Sequence, residues 1–477
     1  MEAIVSVAIG DLISRAFSFL IKQYTDRTAI DEKLERLQQL LLRIHTVVEE
    51  ADGRYITNPR MLEQFKLLVM TMYQGYHMLD IFLYKSLLES SSDQESTPFF
   101  IPLKRSRIVH GAMRRFYMSS DLDSAVGNLE SAISDLTEFV VLLGGCEHMC
   151  RRPYDAYLYT DNFMFGRHVE KQQMINILLQ DHGSRGAPVV LPVIGGMRIG
   201  KKTLVSHVCN NYRIKAHFPS IMFINGDCIS RIDHAKFSNQ KTVVIVEFLT
   251  DVDDDDWAHF YSTVTFGVGE GSKVIIISRI PDLARFGTTQ TIFLNSLSHE
   301  EYRYLFKMLA FGSTDGRDYP RLASIANELA VVLGGSLITA NAVANLLRRN
   351  LDVQFWLKVL NRFKAMVENN LSKYGAHPKN ILDDERRIDI TQLCSSVPAS
   401  LCLMPPRVER DDSPTRKLAH ISMGDLITGC TPIPKDDFVL VAWESRIPPC
   451  TRTINLAAYV EEQHGCTAST RKRRSGI

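Results

Sequence analysis

The sequence predicts an α/β domain, a parallel sheet with flanking helices, preceded by an α-helical four-helix bundle and followed by a small mixed C-terminal segment. Two observations carry most of this. Through the first third of the chain apolar residues recur at alternating intervals of three and four, and through the middle short β-rich apolar runs alternate with helical stretches. A chain of 477 residues, 45% of them hydrophobic, has room for about three domains of ordinary size.

Leu34, Leu37, Leu41, Ile44, Val48 and Ala51 form one helical stripe. A second runs Leu62, Phe65, Val69, Met72, Tyr76, Leu79 and Leu83. The third runs Leu122, Val126, Leu129, Ile133, Leu136, Val140 and Leu143, and stops at Gly144-Gly145. Met1 to Tyr24 is apolar, but Glu2, Asp11 and Arg15 interrupt it, and it has no basic leader or cleavage site. It reads as an amphipathic helix with Ile4, Ala8, Leu12, Ala16, Phe19 and Leu20 near one face, and supplies the fourth member of the bundle. Ser90 to Pro98 reads as a loop.

The sheet is expected from Val189–Ile194, Ile221–Ile224, Val243–Val246 and Val274–Ile277. Ser298 to Arg349 is helical by pattern. Leu401 to Pro414, rich in proline and charge, reads as a linker, and Leu418–Ile427 and Asp437–Trp443 read as strands. The expected domains are therefore 1–145, 160–295, 296–375 and 376–477.

Lys+Arg of 55 against Asp+Glu of 54 argues against nucleic acid or an anionic membrane as the main partner. Nine cysteines without a repeating spacing fit a reducing compartment, and Cys146, His148 and Cys150 lack the second Cys/His pair of a zinc site. The basic end, Arg471 to Arg474, reads as a solvated tail.

Val189 to Leu204 carries the chemistry. An apolar strand enters a turn in which Gly195 and Gly200 flank four residues, and a helix follows from Thr203 to Asn211. Backbone N–H groups in such a turn close around a phosphate, and Lys201 reaches its outer oxygens. The hydroxyl that ordinarily follows the lysine and ligates Mg²⁺ is replaced by Lys202, and Thr203 comes one residue late. Val243 to Glu247 has the layout of a second strand presenting an acid to a metal, so Glu247 and Thr203 are the candidate Mg²⁺ ligands. The run Asp251, Asp253, Asp254, Asp255 and Asp256 reads as a solvated loop or helix start. These departures favour holding a nucleotide over cleaving it, and no motif for a phosphate acceptor or for guanine recognition accompanies them.

Residues 165–347 resemble the nucleotide-binding domain (NB-ARC) of the coiled-coil NLR class of plant disease-resistance proteins. Phe165-Gly166-Arg167 resembles the motif that opens that domain near the nucleotide base, and Gly195, Gly196 and the residues to Thr203 match its phosphate loop. Glu247-Phe248 stands where the family has two aspartates. Gly271 to Arg279 resembles the strand whose terminal arginine senses the outer phosphate, and Leu297 to Gly312 a further family helix. Gly334 to Ala340 stands where the family has a glycine-leucine-proline-leucine-alanine motif, with Leu337 in the proline's place. Residues 1–143 resemble the Rx-type N-terminal bundle, whose acidic motif survives as Leu79-Asp80 and Phe82. No winged-helix domain, methionine-histidine-aspartate motif or leucine-rich repeat is legible after residue 350, so the chain reads as a truncated family member.

The resemblance implies bound ADP or ATP, weakly held Mg²⁺ and weak or no ATPase activity in plant defence signalling. Its implied nucleotide contacts are Gly166, Arg167, Gly195, Gly196, Gly200, Lys201, Lys202, Thr203 and Arg279. It implies an ARC1-like helical role for 296–375. It also implies protein partners reached through the bundle (other NLRs, signalling or guarded host proteins), self-association, and a cytoplasmic, nuclear or peripheral plasma-membrane location without stable membrane insertion. The alternative is a nucleotide-independent adaptor or decoy acting through the bundle.

Overall fold

The computed structural model describes residues 30–91, 120–147, 164–180, 187–232, 237, 239–312, 314–394, 399–405, 418–429, 432–444 and 452–460. The expected first helix, the loop from Ser92 to Pro98, His148, Cys150 and the basic tail lie outside these residues. The chain forms two compact units, 1–305 and 306–477.

In the first unit, helices α1 (residues 30–52), α2 (Pro59–Ser91), α3 (residues 120–134) and α4 (Leu136–Gly144) bring most of the three stripes into one core. Leu37, Leu41, Ile44, Phe65, Val69, Leu122, Leu129 and Leu143 all lie in it. Close approach of α2 depends on Gly75, where a Cβ would lie 2.8 Å from Leu41 Cδ2 and 3.0 Å from Leu129 Cδ1. The third stripe slips at Asp135, where the helix breaks. Phe139 is buried in place of the expected Val140, which is 45% exposed.

The sheet of this unit contains β1 (Val189–Gly195), β2 (Ser220–Asn225), β3 (Thr242–Phe248), β4 (Lys273–Ser278) and β5 (Ile292–Leu294) in the order β2-β3-β4-β1-β5. Every pairing is parallel. The inner strands β1, β3 and β4 are apolar without alternation because both their faces are covered. Leu191, Val193, Val243, Ile245, Ile275 and Ile277 pack with α5 (His168–Leu179), α6 (Lys201–Cys209) and α7 (Tyr212–His217) through Met174, Leu178, Leu204, Val208 and Ile214. The intervening Val190, Val244, Val246, Val274 and Ile276 meet Trp257, Phe260 and Val264 of α8 (Asp254–Gly267). The acidic run opens α8, with Asp254, Asp255 and Asp256 in its first turn, where the positive end of the peptide dipoles favours them.

α5 is buried on two sides, since its other face meets the bundle. Lys171 Nζ and His168 Nδ1 each lie 2.7 Å from Asp52 Oδ1, at the end of α1. Gln172 donates to the Arg54 carbonyl and Asn176 to the Ile56 carbonyl, both at 2.8 Å. Further along α2, Arg303 donates to His77 at 3.1 Å, and Tyr73 and Tyr76 pack on Tyr304. The bundle is thus seated at two places, through the Asp52–Ile56 turn and through Tyr73, Tyr76 and His77 of α2, the last lying three residues before the Asp80 that the family resemblance points to.

In the second unit, α9 (His299–Phe311), within which the division falls, leads into α10 (Pro320–Val332), α11 (Leu337–Arg348), α12 (Val353–Tyr374) and α13 (Pro378–Asp383). Leu337 is the first residue of α11, where proline is favoured for its fixed φ but not required. Ser336 caps the helix instead, its side chain accepting from Thr339 N. A mixed sheet follows with the order β6-β7-β10-β9-β8. Its strands are β6 (Ile388–Asp389), β7 (Ser400–Leu403), β8 (His420–Ser422), β9 (Phe438–Glu444) and β10 (Arg452–Val460).

Two expectations are corrected here. The proline- and charge-rich linker begins inside β7, whose Leu401 and Leu403 are buried between β6 and β10. Leu418–Ile427 is only briefly a strand, because Ser422 caps a helix, α14 (Met423–Thr428), by accepting from Asp425 N.

Burial pushes the Asp52 carboxyl up, but the Lys171 and His168 charges and hydrogen bonds more than reverse this and hold it well below the usual carboxylate range. A depressed carboxyl contributes stability that is complete above the ordinary aspartate value of about 3.9 and is lost as pH falls through the folded-state value. Asp52→Ala is expected to cost about 3–5 kcal/mol at neutral pH, because it leaves Lys171 charged in a buried seam. Urea unfolding should show this gap narrowing below about pH 4. No gap at neutral pH, or one indifferent to acid, would contradict the assignment.

Candidate nucleotide site

Parallel pairing brings the C-terminal ends of β1, β3 and β4 to one edge of the sheet. Ile194 is opposite Ser278, and Glu247 is opposite Ile277. The turn after β1 therefore faces the ends of both neighbours, the edge at which parallel α/β sheets bind ligands.

Gly195 closes β1 against β5, where a Cβ would lie 2.5 Å from the Leu294 carbonyl. Gly200, at φ +93°, turns the chain into α6 in a conformation that side chains rarely adopt. Gly196 is exposed. Arg198 holds φ +57° without being glycine, a strain of about 1–2 kcal/mol in the middle of the loop.

Lys201 begins α6, and its ammonium donates back across the loop to the carbonyls of Gly195 at 2.8 Å and Gly196 at 2.6 Å. Burial pushes it down to about 8, with Glu247 pulling it up and Lys202 and Arg279 pushing it further down. Lys202 Nζ pairs with Glu247 Oε2 at 2.5 Å. Arg279 directly follows β4 and is exposed, and Thr203 is half-buried in the first turn of α6. The structure thus brings Lys201, Lys202, Glu247 and Arg279 together behind the glycine turn. The Lys202 partner was not legible, because it depends on the register of β3 against a helix start.

Gly166 and Arg167 approach the loop from the turn before α5. Arg167 is 6% exposed, and one terminal nitrogen donates to the Asn295 carbonyl at 2.6 Å and the Ile199 carbonyl at 3.4 Å. Its other terminal nitrogen lies 3.7 Å from Glu170. The guanidinium is accordingly a brace tying α5 to the phosphate-type loop and to the end of β5. Just beyond, Ser298 and Glu301 form a reciprocal cap at the start of α9: Ser298 N donates to Glu301 Oε2 at 2.7 Å and Glu301 N to Ser298 Oγ at 3.2 Å. Phe248, in the family's second acidic position, is 2% exposed and stacks edge-on with Trp257, so that side chain faces away from the loop.

Residues 8–108 match the Rx N-terminal domain. Over 388 residues the chain is 22% identical to Disease resistance protein RGA2 of Solanum bulbocastanum, and over 384 residues 22% identical to Putative disease resistance protein RGA1 of the same species. Each match takes in 74% of this chain and 38% of the relative, so the chain spans well under half the length of these relatives. Putative disease resistance protein RGA4 is 27% identical over 231 residues, 42% of this chain and 23% of the relative. Among solved structures, a variant of Thermotoga maritima RuvB aligns over 44% of this chain and 77% of its own with 12% identity and a TM-score of 0.29, too slight to bear on function. The chain is thus similar to the Rx N-terminal domain over residues 8–108 and, over about three quarters of its length, homologous to plant disease resistance proteins. No helix among the described residues is long and apolar enough to cross a membrane.

If Arg167 is a brace, Arg167→Ala should loosen the loop in protein that has been stripped of nucleotide. Loss of these bonds should lower stability by about 1–3 kcal/mol. Amide exchange at Ile199 and Asn295 should quicken. Unchanged stability with weakened nucleotide binding would instead make Arg167 a ligand contact.

Proposed function

We propose that this chain is an ADP- or ATP-binding, NLR-like protein of plant defence signalling, in which nucleotide occupancy biases how the helical bundle and the nucleotide fold pack. The observation that carries the reading is Lys201, an ammonium held against the Gly195 and Gly196 carbonyls at the mouth of a glycine turn, with Lys202 and Arg279 close by. Gly195, Gly196, Gly200 and Lys201 would hold the phosphates. Thr203 and Arg279 flank them, and Gly166 and Arg167 support the loop from behind. Slow or absent hydrolysis accompanies this reading, because phosphoryl transfer depends on placing a metal and a water, and Lys202 stands where the metal-ligating hydroxyl is expected. Residues 296–375 act as the ARC1-like helical part.

The bundle is the partner-facing module in this proposal, its partners being other NLRs or signalling proteins, and a cytoplasmic site of action fits the relatives' role in disease resistance. A second reading, a nucleotide-independent adaptor, is favoured by the same Lys202–Glu247 pair, which satisfies the site's acid without a ligand. The two separate on the nucleotide content of the purified protein, read by denaturation and chromatography.

Retained ADP or ATP that is lost in Lys201→Ala supports the first reading, and its absence from wild type supports the second. Affinity should also fall with rising pH. Lys201 loses its proton through about 8, so the cation that meets the phosphates disappears on the alkaline side. Between about pH 7 and about pH 9 calorimetry should show ADP binding weakened by about tenfold. In Lys201→Ala this dependence should vanish.

A further inference from the structure

We infer that the nucleotide site works without a divalent cation, the Lys202 ammonium paired with Glu247 taking the electrostatic place of a metal ion and its water shell. This rests on the nucleotide-binding reading proposed above and specifies the form of nucleotide the site takes. Mg²⁺ demands near-octahedral oxygen ligation, usually from one or two carboxylates, phosphate oxygens and waters. The residues present do not fit it. The one carboxylate at the end of β3 already has a cation 2.5 Å from Oε2, supplied by the residue directly after the phosphate-loop lysine. The position after Glu247 is Phe248, turned into the core against Trp257. Thr203, the nearest hydroxyl in sequence, stands one residue further along α6, about 100° around the helix from Lys202. Among the described residues no group of three His, Cys, Asp or Glu could hold a metal.

The charges make the same case. Lys201, Lys202 and Arg279 are three cations around the carboxylate of Glu247; burial is the main cause that lowers Lys201, and Lys202 and Arg279 lower it further while Glu247 opposes them. A fixed ammonium repels a divalent ion from its surroundings while attracting phosphate oxygens. Lys202 is 60% exposed and Glu247 29%, so the pair sits at the accessible rim. From there the ammonium can turn to an incoming phosphate without giving up a buried partner. The site therefore selects the metal-free nucleotide anion, and Glu247 orients Lys202 where it would otherwise have held the metal's waters.

The test is calorimetry of the whole chain, stripped of nucleotide, with ADP and with ATP, each in excess Mg²⁺ and in excess EDTA. Wild type is expected to bind with dissociation constants that agree within about threefold in the two media. Lys202→Thr is expected to bind about tenfold more weakly in EDTA and to recover in Mg²⁺. Lys202→Met, which removes the charge without supplying a hydroxyl, should be weak in both. Because Lys202 is exposed, thermal unfolding of the variants should match wild type. Tightening of wild type by Mg²⁺ of about tenfold or more would overturn the inference while leaving nucleotide binding intact. So would a Lys202→Met variant that binds as well as wild type in EDTA. Failure of wild type to bind in either medium would overturn the nucleotide reading itself.

Discussion

Parallel pairing of β1 with β4 on one side and β5 on the other is the constraint on which the rest of this molecule depends. It sends the C-terminal ends of β1, β3 and β4 to the same edge, so Gly195, Glu247 and Arg279 meet there although the sequence scatters them. The pairing holds because both faces of the sheet are buried. Odd-numbered residues of β3 and β4 pack on α5, α6 and α7, and even-numbered residues pack on α8. A one-residue slip of β3 would exchange these two sets and turn Glu247 away from Lys202.

The same sheet ties the helical bundle to the site. α5 contributes Met174, Ile175 and Leu178 to the core beneath the sheet and presents His168 and Lys171 to Asp52 of the bundle. Arg167, at the head of α5, braces Ile199 within the loop. Arg167, α5 and Asp52 thus form one contiguous run of hydrogen bonds and packing from the loop to a carboxylate of the bundle.

What could be read from the sequence follows from the range of the interactions involved. The strand runs of the parallel sheet and the stripes of α1 and α2 are local patterns that burial enforces, and Leu37, Phe65, Val244 and Ile276 all proved to be core. The glycine turn and the acid at the end of β3 were legible because their chemistry fixes both residue type and spacing. What escaped was non-local or was masked by composition. Val140 lost its place to Phe139 because of a break at Asp135 that periodicity does not signal. β7 was hidden beside a stretch of proline and charge, and β10 only becomes a strand by pairing with β7 and β9. The contacts of Asp52 with His168 and Lys171, and of the Arg167 guanidinium with the Ile199 and Asn295 carbonyls, join residues more than thirty apart in the chain and leave no local pattern to read.

The central claim is that the sheet's C-terminal edge, with Lys201 and Lys202 at its mouth, is where nucleotide is held. Hydrogen exchange of the whole chain with and without ADP tests it most directly. The account predicts slowed exchange of the amides from Gly196 to Thr203, extending to Glu247 and Arg279 at the neighbouring strand ends. Protection confined to other parts of the chain, or none at ADP concentrations that saturate the protein, would contradict it.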